Sequence, residues 1–103
     1  FTPGYAAMGA AKGGLEALTR QLAVELAPQK VRVNTVCGGL IETETLDYFP
    51  DKDQLIQFAV EYTPLKRLGQ PEDLARVVRF LVSEDAGWIT GQVIVADGGF
   101  SIQ

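Results

Sequence analysis

The fold is decided by residues 25–39, which read ELAPQKVRVNTVCGG. Pro28 predicts the end of a helix, because proline has no backbone N–H to donate within one. The β-rich run from Val31 to Val36 predicts a short strand, and the closing glycine pair ends it in a tight turn. A helix followed by a strand that ends in glycines is typical of an α/β fold.

The upstream side predicts a long helix, from about Tyr5 to Leu26. Its apolar side chains recur at helical spacing, in Leu15, Leu18, Leu22 and Leu26. Alanines and glycines leave its first half with little bulk, although each glycine inside a helix costs about 1 kcal/mol relative to alanine. We therefore expect another backbone or a bound cofactor to approach this half closely.

The downstream side predicts a second helix and a second strand. Pro71 suits the first position of a helix, and the buried face follows at the i, i+3, i+4, i+7 spacing of Leu74, Val77, Val78 and Leu81. The apolar run from Gln92 to Ala96 predicts a strand that is covered on both faces. The polar stretch from Ile41 to Tyr62 predicts one or two short helices.

Helix, strand, helix and strand in this order predict an α/β fold with a parallel sheet. The chain has 103 residues, of which 47% are hydrophobic, which suits one small globular unit. Two strands alone make a poor sheet, and Phe1 is neither an initiator methionine nor part of a visible signal sequence. We therefore expect residues 1–103 to be part of a longer protein.

The composition argues against several classes of function. A net charge of -4 with scattered basic residues disfavours nucleic acid or an anionic membrane as partner. No apolar run approaches the roughly 20 residues that a membrane-spanning helix needs. The lack of histidine excludes Ser-His-Asp and Cys-His chemistry within these residues and argues against zinc. Cys37 is alone, so we expect a small buried residue and a reducing, cytoplasmic location.

Five motifs in order resemble the second half of the short-chain dehydrogenase/reductase family. They are the run from Lys12 to Arg20, the helix end Glu25-Leu26-Ala27-Pro28, the strand from Val31 to Val36, the turn from Gly38 to Thr43, and Asp97-Gly98-Gly99. The resemblance implies the C-terminal part of a Rossmann-type doubly wound parallel sheet. It also implies that the N-terminal cofactor-binding half lies upstream, so we expect residues 1–103 alone to be inactive.

The position of the tyrosine is the informative departure from the family pattern. Most members place a catalytic tyrosine four residues before the lysine, where this chain has Met8, whose side chain has no dissociable proton. Tyr5 lies seven residues before Lys12, and this spacing is similar to that of enoyl-acyl-carrier-protein reductases. Seven residues are nearly two helical turns, so both side chains can share one face. The stretch after Gly39 resembles the bacterial type III branch, which is usually NADPH-linked.

The resemblance also implies roles for individual residues. Tyr5 and Lys12 would be catalytic, with Tyr5 donating a hydrogen bond to the substrate carbonyl. The cofactor-binding residues would be Lys12, Gly38, Gly39, Ile41 and Thr43. The substrate-binding residues would be Met8, Leu46, Tyr48 and Phe49. Two alternatives stay open: Thr43 is also suited to cap the following helix, and the apolar residues of 46–58 suit a core as well as a substrate lid.

These residues lead to one functional hypothesis and two rivals. The hypothesis is an enoyl-acyl-carrier-protein reductase of bacterial fatty acid synthesis, which transfers hydride from NADPH, or from NADH as the alternative, to a 2-enoyl thioester. Its partners would be a thioester of acyl carrier protein or CoA and further copies of itself, in a homotetramer or homodimer. The first rival is a 3-oxoacyl thioester reductase remodelled around Met8. The second is a catalytically inactive member that binds or oligomerises.

Overall fold

The computed structural model describes residues 4–103 and has two parallel strands between helices. The helices are α1 (Ala6–Leu26), α2 (Lys52–Tyr62) and α3 (Pro71–Val82), and the strands are β1 (Thr35–Gly38) and β2 (Val93–Ala96). Short 3-10 helices occupy Ala27–Gln29, Glu44–Tyr48, Glu84–Ala86 and Phe100–Ile102. The strands pair in parallel, from Thr35 opposite Val93 to Gly38 opposite Ala96. The predicted α/β class and the parallel sheet are confirmed.

The boundaries predicted for the first strand are wrong. It begins at Thr35 rather than Val31 and continues through Gly38, which was expected to stop it. The residues before Thr35 face the loop that precedes β2. The C=O of Val33 accepts a hydrogen bond from the N–H of Gly91, and the N–H of Val33 donates one to the hydroxyl oxygen of Thr90. A ladder therefore starts only where β2 itself begins.

Helix α1 runs antiparallel to β1 and packs over the start of the sheet. The buried Thr19 hydroxyl lies 2.6 Å from that of Thr35 at the beginning of β1. A Cβ built on Gly91, which precedes β2, would lie 3.3 Å from the Cβ of Ala23. Moving towards the N-terminus of the helix, from Ala23 to Thr19, thus means moving forward along the strands.

Helix α3 covers the opposite face of the sheet. Pro71 lies in its first turn, as predicted, and Gln70 and Asp73 form a capping box there. A Cβ built on Gly38 would lie 3.0 Å from Cδ1 of Leu74, so the helix packs closely against the end of β1. Leu81 is buried as expected, but Val78 is exposed. The predicted apolar face of α3 is therefore only partly covered within residues 4–103.

The face of the sheet on the α1 side is partly open, which contradicts two expectations. Val95 is 51% exposed, although β2 was expected to be covered on both faces. Cys37, opposite Val95 in the register, is exposed rather than buried. Side chains alternate between the faces of a strand, so these two share the face of Thr35. α1 covers that face at Thr35 and leaves it uncovered further along.

The best-buried apolar cluster lies beside the sheet rather than between its layers. Leu46, Ala59 and Leu68 form it, and the partly buried side chains around it are those of Leu40, Leu55, Ile56 and Val60. The helices Glu44–Tyr48 and α2 confirm the short helices predicted between Ile41 and Tyr62. Across residues 4–103, the longest and most apolar helix falls short of what a membrane crossing requires.

Candidate functional site

The carboxyl ends of β1 and β2 define the edge of the sheet where a site is expected. In parallel α/β sheets, ligands bind outside these strand ends. Residues 38–43, here called the edge loop, leave the sheet at this point. Gly39 and Leu40 of the edge loop line a cleft of about 220 Å³ together with Arg67, Gly69, Asp73 and Asp97.

Tyr5 and Lys12 lie on the face of α1 that leads to this edge. Lys12 is seven residues before Thr19, which is about 10 Å along the axis and within roughly 20° of the same face. The three steps from Thr35 to Gly38 also cover about 10 Å. Since α1 is antiparallel to β1, ideal helix geometry predicts that Lys12 lies level with the end of β1. The same geometry predicts that Tyr5 lies about two turns further out, beyond the edge.

The backbone around Tyr5 keeps it in register with α1. Tyr5 occupies the N-cap, and its C=O accepts the N–H of Gly9 at 2.8 Å. Its side chain is 48% exposed, and Met8 and Lys12 are exposed as well. No atom lies within 4 Å of a Cβ built on Gly9 or Gly13, so the small-residue half of α1 is open among the described residues. This openness fits the expectation that another group approaches it.

The edge loop is held from one side at Ile41. Ile41 forms a parallel bridge with Gly69, in which Gly69 donates to Leu40 at 3.0 Å and accepts from Glu42 at 2.8 Å. In such a bridge, the N–H and C=O of the central residue point away from the partner. Neither group of Ile41 is hydrogen bonded within residues 4–103. One donor and one acceptor therefore face outward side by side.

Thr43 leaves its hydroxyl available. It is the N-cap of the short helix Glu44–Tyr48, but its side chain makes no capping hydrogen bond. The side chain is exposed. Thr43 therefore takes the N-cap position that the capping alternative predicts, but its hydroxyl makes no capping hydrogen bond and is accessible to a ligand.

The two glycines of the edge loop allow it to pack closely against the loop after β2 and against α3. A Cβ on Gly39 would lie 3.1 Å from the Cβ of Asp97, and the one on Gly38 would meet Leu74. The sequence led us to expect that these glycines admit a ligand. In the structure their small size is needed for packing against the loop after β2 and against α3. Their contact with a cofactor stays a prediction.

The residues expected to bind substrate separate into two groups. Leu46 is 4% exposed and lies in the buried cluster, which favours the core alternative for this residue. Tyr48 is 86% exposed, and Phe49 and Met8 are also accessible. The aromatic pair after the edge loop thus remains free to cover an acyl chain.

Sequence reasoning missed an ion pair beside the edge loop. Arg67 binds Asp73 through two hydrogen bonds, of 2.6 and 3.0 Å, and a third bond of 2.8 Å joins its guanidinium to the C=O of Leu68. Arg67, together with the N–H of Gln70, lowers the pKa of Asp73 to about 2. The signal available in the sequence is an arginine and an aspartate placed symmetrically around Gly69 and Pro71, a spacing that by itself predicts no contact between them.

The exposed groups fit the amide end of a nicotinamide cofactor. A carboxamide has one acceptor oxygen and an NH₂ donor. The outward N–H and C=O of Ile41 complement this pair, and the Thr43 hydroxyl lies two residues further along. Lys12, which helix geometry predicts at the same edge, would supply a positive charge and three donors for ribose hydroxyls. The residues present therefore match the donor and acceptor pattern of that group.

Known proteins resemble this chain along almost its whole length. A family model described as enoyl-(acyl carrier protein) reductase matches residues 1–101. The chain is 39% identical to 1-cyclohexenylcarbonyl-CoA reductase of Streptomyces collinus over 97% of its own length and 36% of the relative's. It is 41% identical to 3-oxoacyl-(acyl-carrier-protein) reductase of Thermotoga maritima, over 97% of this chain and 40% of that relative. A solved short chain dehydrogenase family protein from Francisella tularensis superposes with a TM-score of 0.89 at 31% identity, over 100% of this chain and 46% of its own.

Proposed function

Because the chain belongs to the short-chain dehydrogenase/reductase family, we propose that it is the C-terminal part of an NAD(P)H-dependent enoyl-thioester reductase. The chain spans 36% of one relative above and 40% of the other. The activity proposed is therefore that of a longer protein. The proposal is supported by the helical spacing of Thr19, Lys12 and Tyr5, which predicts a phenol and an ammonium on the face of α1 that runs towards the carboxyl edge of the sheet.

Tyr5 acts on the oxygen of the thioester. The nicotinamide ring supplies the hydride when bound. As the β-carbon of a 2-enoyl thioester gains that hydride, negative charge develops on the carbonyl oxygen. A hydroxyl aimed at this oxygen stabilises the transition state more than the ground state, because the charge is larger there. We propose that the half-exposed Tyr5, at the N-cap of α1, donates this hydrogen bond.

Lys12 holds the cofactor. Its ammonium donates hydrogen bonds to the hydroxyls of the nicotinamide ribose. Ile41 and Thr43 orient the carboxamide from the opposite side. The exposed aromatic side chains of Tyr48 and Phe49 cover the acyl chain and exclude water.

Reduction of a 3-oxoacyl thioester is the second candidate. The 41% identity to a protein named 3-oxoacyl-(acyl-carrier-protein) reductase favours it. The name of the Streptomyces relative instead describes reduction of an alkenyl thioester, at 39% identity. Met8 decides between the two in our proposal. It stands where most of the family has the tyrosine that protonates a carbonyl, and a thioether cannot donate a proton.

The remaining parts of the proposal concern cofactor choice and partners. We take NADPH as the donor, with NADH as the alternative, and a thioester of acyl carrier protein or CoA as the substrate. The complete protein is then a homotetramer or homodimer that acts in the cytoplasm, in fatty acid synthesis. A catalytically inactive family member is the contrasting hypothesis. It would bind the cofactor at the same edge without turning over either thioester.

The test is cofactor oxidation by the complete protein, with crotonyl and acetoacetyl thioesters offered separately and with NADPH and NADH. We expect turnover of the crotonyl thioester only. Tyr5→Phe should lower kcat by about 100-fold or more, which is typical when one such donor is removed. Turnover of the acetoacetyl thioester only would establish the second candidate. Cofactor binding with no turnover would support the inactive member.

Tyr62→Phe is the matched control for Tyr5→Phe. It removes a phenolic hydroxyl from another exposed tyrosine, on α2, whose ring centroid lies 4.4 Å from that of Phe58. Tyr62 is outside the proposed site, so its variant should retain the turnover of the unmodified protein. An equal loss in both variants would assign the effect to general disturbance and contradict the role of Tyr5.

A further inference from the structure

Arg67 and Asp73 enclose a short backbone segment in which both peptide units around Gly69 are fully hydrogen bonded. We call residues 67–73 the support segment. The guanidinium of Arg67 donates to the C=O of Leu68, and the carboxylate of Asp73 accepts the N–H of Gln70 at 2.8 Å. These are the outer polar groups of the two peptide units on either side of Gly69. The ion pair therefore holds both peptide planes from one side.

The inner polar groups of the same two peptide units hold the edge loop. They are the N–H and C=O of Gly69, which bind Leu40 and Glu42. A side-chain bond reinforces this link, since Nε2 of Gln70 donates to Oε2 of Glu42 at 2.6 Å. A Cβ on Gly69 would come within 2.5 Å of Cδ1 of Ile41, so the segments are in close contact. Any rotation of the peptide planes at Gly69 is thus transmitted to Ile41.

We propose that the Arg67–Asp73 ion pair is a positioning pair for cofactor binding. By fixing the two peptide units at Gly69, it fixes the direction in which the N–H and C=O of Ile41 face the nicotinamide carboxamide. This inference rests on the proposed function, because it assigns the pair to the cofactor-binding part of that same site. Arg67 and Asp73 themselves do not contact the reacting atoms.

The contrasting interpretation is that the pair only caps α3. Asp73 is the N3 residue of the capping box, and a cap alone would support stability without affecting the ligand. The guanidinium contact with Leu68 distinguishes the two interpretations. Leu68 is upstream of the helix, so this bond does nothing for the helix end. It fixes the peptide unit between Leu68 and Gly69, where the support segment contacts the edge loop.

The experiment measures the dissociation constant of NADPH and the steady-state constants for the complete protein. Arg67→Met removes the whole fork and should raise the dissociation constant about tenfold, equivalent to 1.4 kcal/mol. We expect kcat to change much less, because Tyr5 and Lys12 are carried by α1. Arg67→Lys keeps the charge but cannot make the planar, forked set of bonds. Its dissociation constant for NADPH should therefore lie between those of the unmodified protein and Arg67→Met.

Arg32→Met is the matched control. The guanidinium of Arg32 also binds backbone carbonyls, those of Leu81 at 2.6 Å and Ile89 at 3.1 Å, but ahead of β1, at the opposite end of the sheet. Losing it should lower the melting temperature at least as much as Arg67→Met does. Its dissociation constant for NADPH should stay within about twofold of the unmodified value, since 0.4 kcal/mol corresponds to that factor.

Each outcome decides a specific point. Equal dissociation constants for the unmodified protein and the Arg67 variants would overturn the positioning role while leaving the proposed function intact. An equal rise in Arg32→Met would assign the effect to stability and overturn it as well. If Arg67→Met fails to fold, the graded change in Arg67→Lys carries the test. If the unmodified protein binds neither NADPH nor NADH, the proposed function fails and this inference with it.

Discussion

The side-chain oxygens of Thr19 and Thr35 lie 2.6 Å apart and join α1 to β1 at the start of the sheet. The Thr19 hydroxyl donates its only proton to the C=O of Leu15 at 2.8 Å. Thr35 must therefore be the donor between the two threonines. This bond fixes the rotation of α1 about its axis, and with it the face on which Lys12 and Tyr5 lie.

Replacement of Thr35 by valine tests this contact. Valine keeps the shape and removes the donor, so the buried Thr19 oxygen loses a partner that water cannot easily replace. We expect unfolding free energy in urea to fall by about 1–2 kcal/mol. Thr35→Ser keeps the hydroxyl and should lose clearly less. Equal losses in the two variants would mean that the methyl group, and not the hydrogen bond, is what matters here.

Truncation of Leu46 should lower stability, whereas truncation of Tyr48 should leave it nearly unchanged. Leu46 is 4% exposed within the buried cluster, so Leu46→Ala should lower the unfolding free energy by about 2–4 kcal/mol. Tyr48 is 86% exposed, and Tyr48→Ala should leave stability within about 0.5 kcal/mol. Under the proposed function, Tyr48→Ala instead raises the KM of the enoyl thioester. A stable Leu46→Ala variant would show that this leucine is not part of the core.

Gly98 is constrained both by its backbone angle and by its neighbours. Its φ is +67°, and a Cβ there would lie 2.7 Å from Cγ2 of the buried Thr63. Gly98→Ala should therefore cost about 2–3 kcal/mol, the left-handed penalty plus the steric overlap. Gly91→Ala is the control, with a φ of +73° and a Cβ contact of 3.3 Å to Ala23. It should lose only the smaller, conformational part. Urea unfolding of both variants measures the difference.

The Arg67–Asp73 pair makes stability depend on pH in the acid range. Bonding to Arg67 and to the N–H of Gln70 lowers the pKa of Asp73 from 3.8 to about 2. A carboxyl whose pKa is depressed in the folded state stabilises it above the unfolded pKa, and this contribution is lost as the pH falls through the folded value. The melting temperature of Asp73→Asn should therefore lie below that of the unmodified protein at neutral pH. The difference should narrow between pH 3.8 and 2. A difference that persists unchanged at the acid end would contradict the ionic origin.

Much of the element order was accessible from the sequence because proline, glycine and apolar periodicity act locally. Pro28 and Pro71 mark the end of α1 and the start of α3 within a residue or two. The start of β1 was not accessible. It is set by where β2 begins in space, which no local pattern around Val31 contains. The exposure of Cys37 likewise depends on how closely the N-terminal half of α1 packs on the sheet.

The site was accessible only in part, for the same reason. The spacing of Tyr5 and Lys12 is a property of one helix, and it could be interpreted from the sequence because α1 extends from Ala6, next to Tyr5, past Lys12. Thr43 could be nominated, but whether its hydroxyl caps a helix depends on the local backbone angles. The link from Arg67 and Asp73 through Gly69 to Ile41 joins segments that are distant along the chain. Hydrogen bonds of this kind leave no periodic signal in the sequence.

The parallel pairing of β1 with β2 has a consequence for biosynthesis. Asn34 and Gln92 hydrogen bond just ahead of the paired strands, although 58 residues separate them along the chain. Contacts of such long range form slowly, because the intervening segment must first be ordered. On the ribosome, β1 emerges well before its partner is made. Its apolar edge must remain unpaired for several seconds at ordinary rates of about 5–20 residues per second. We expect nascent chains stalled before Gln92 to require a chaperone to stay soluble.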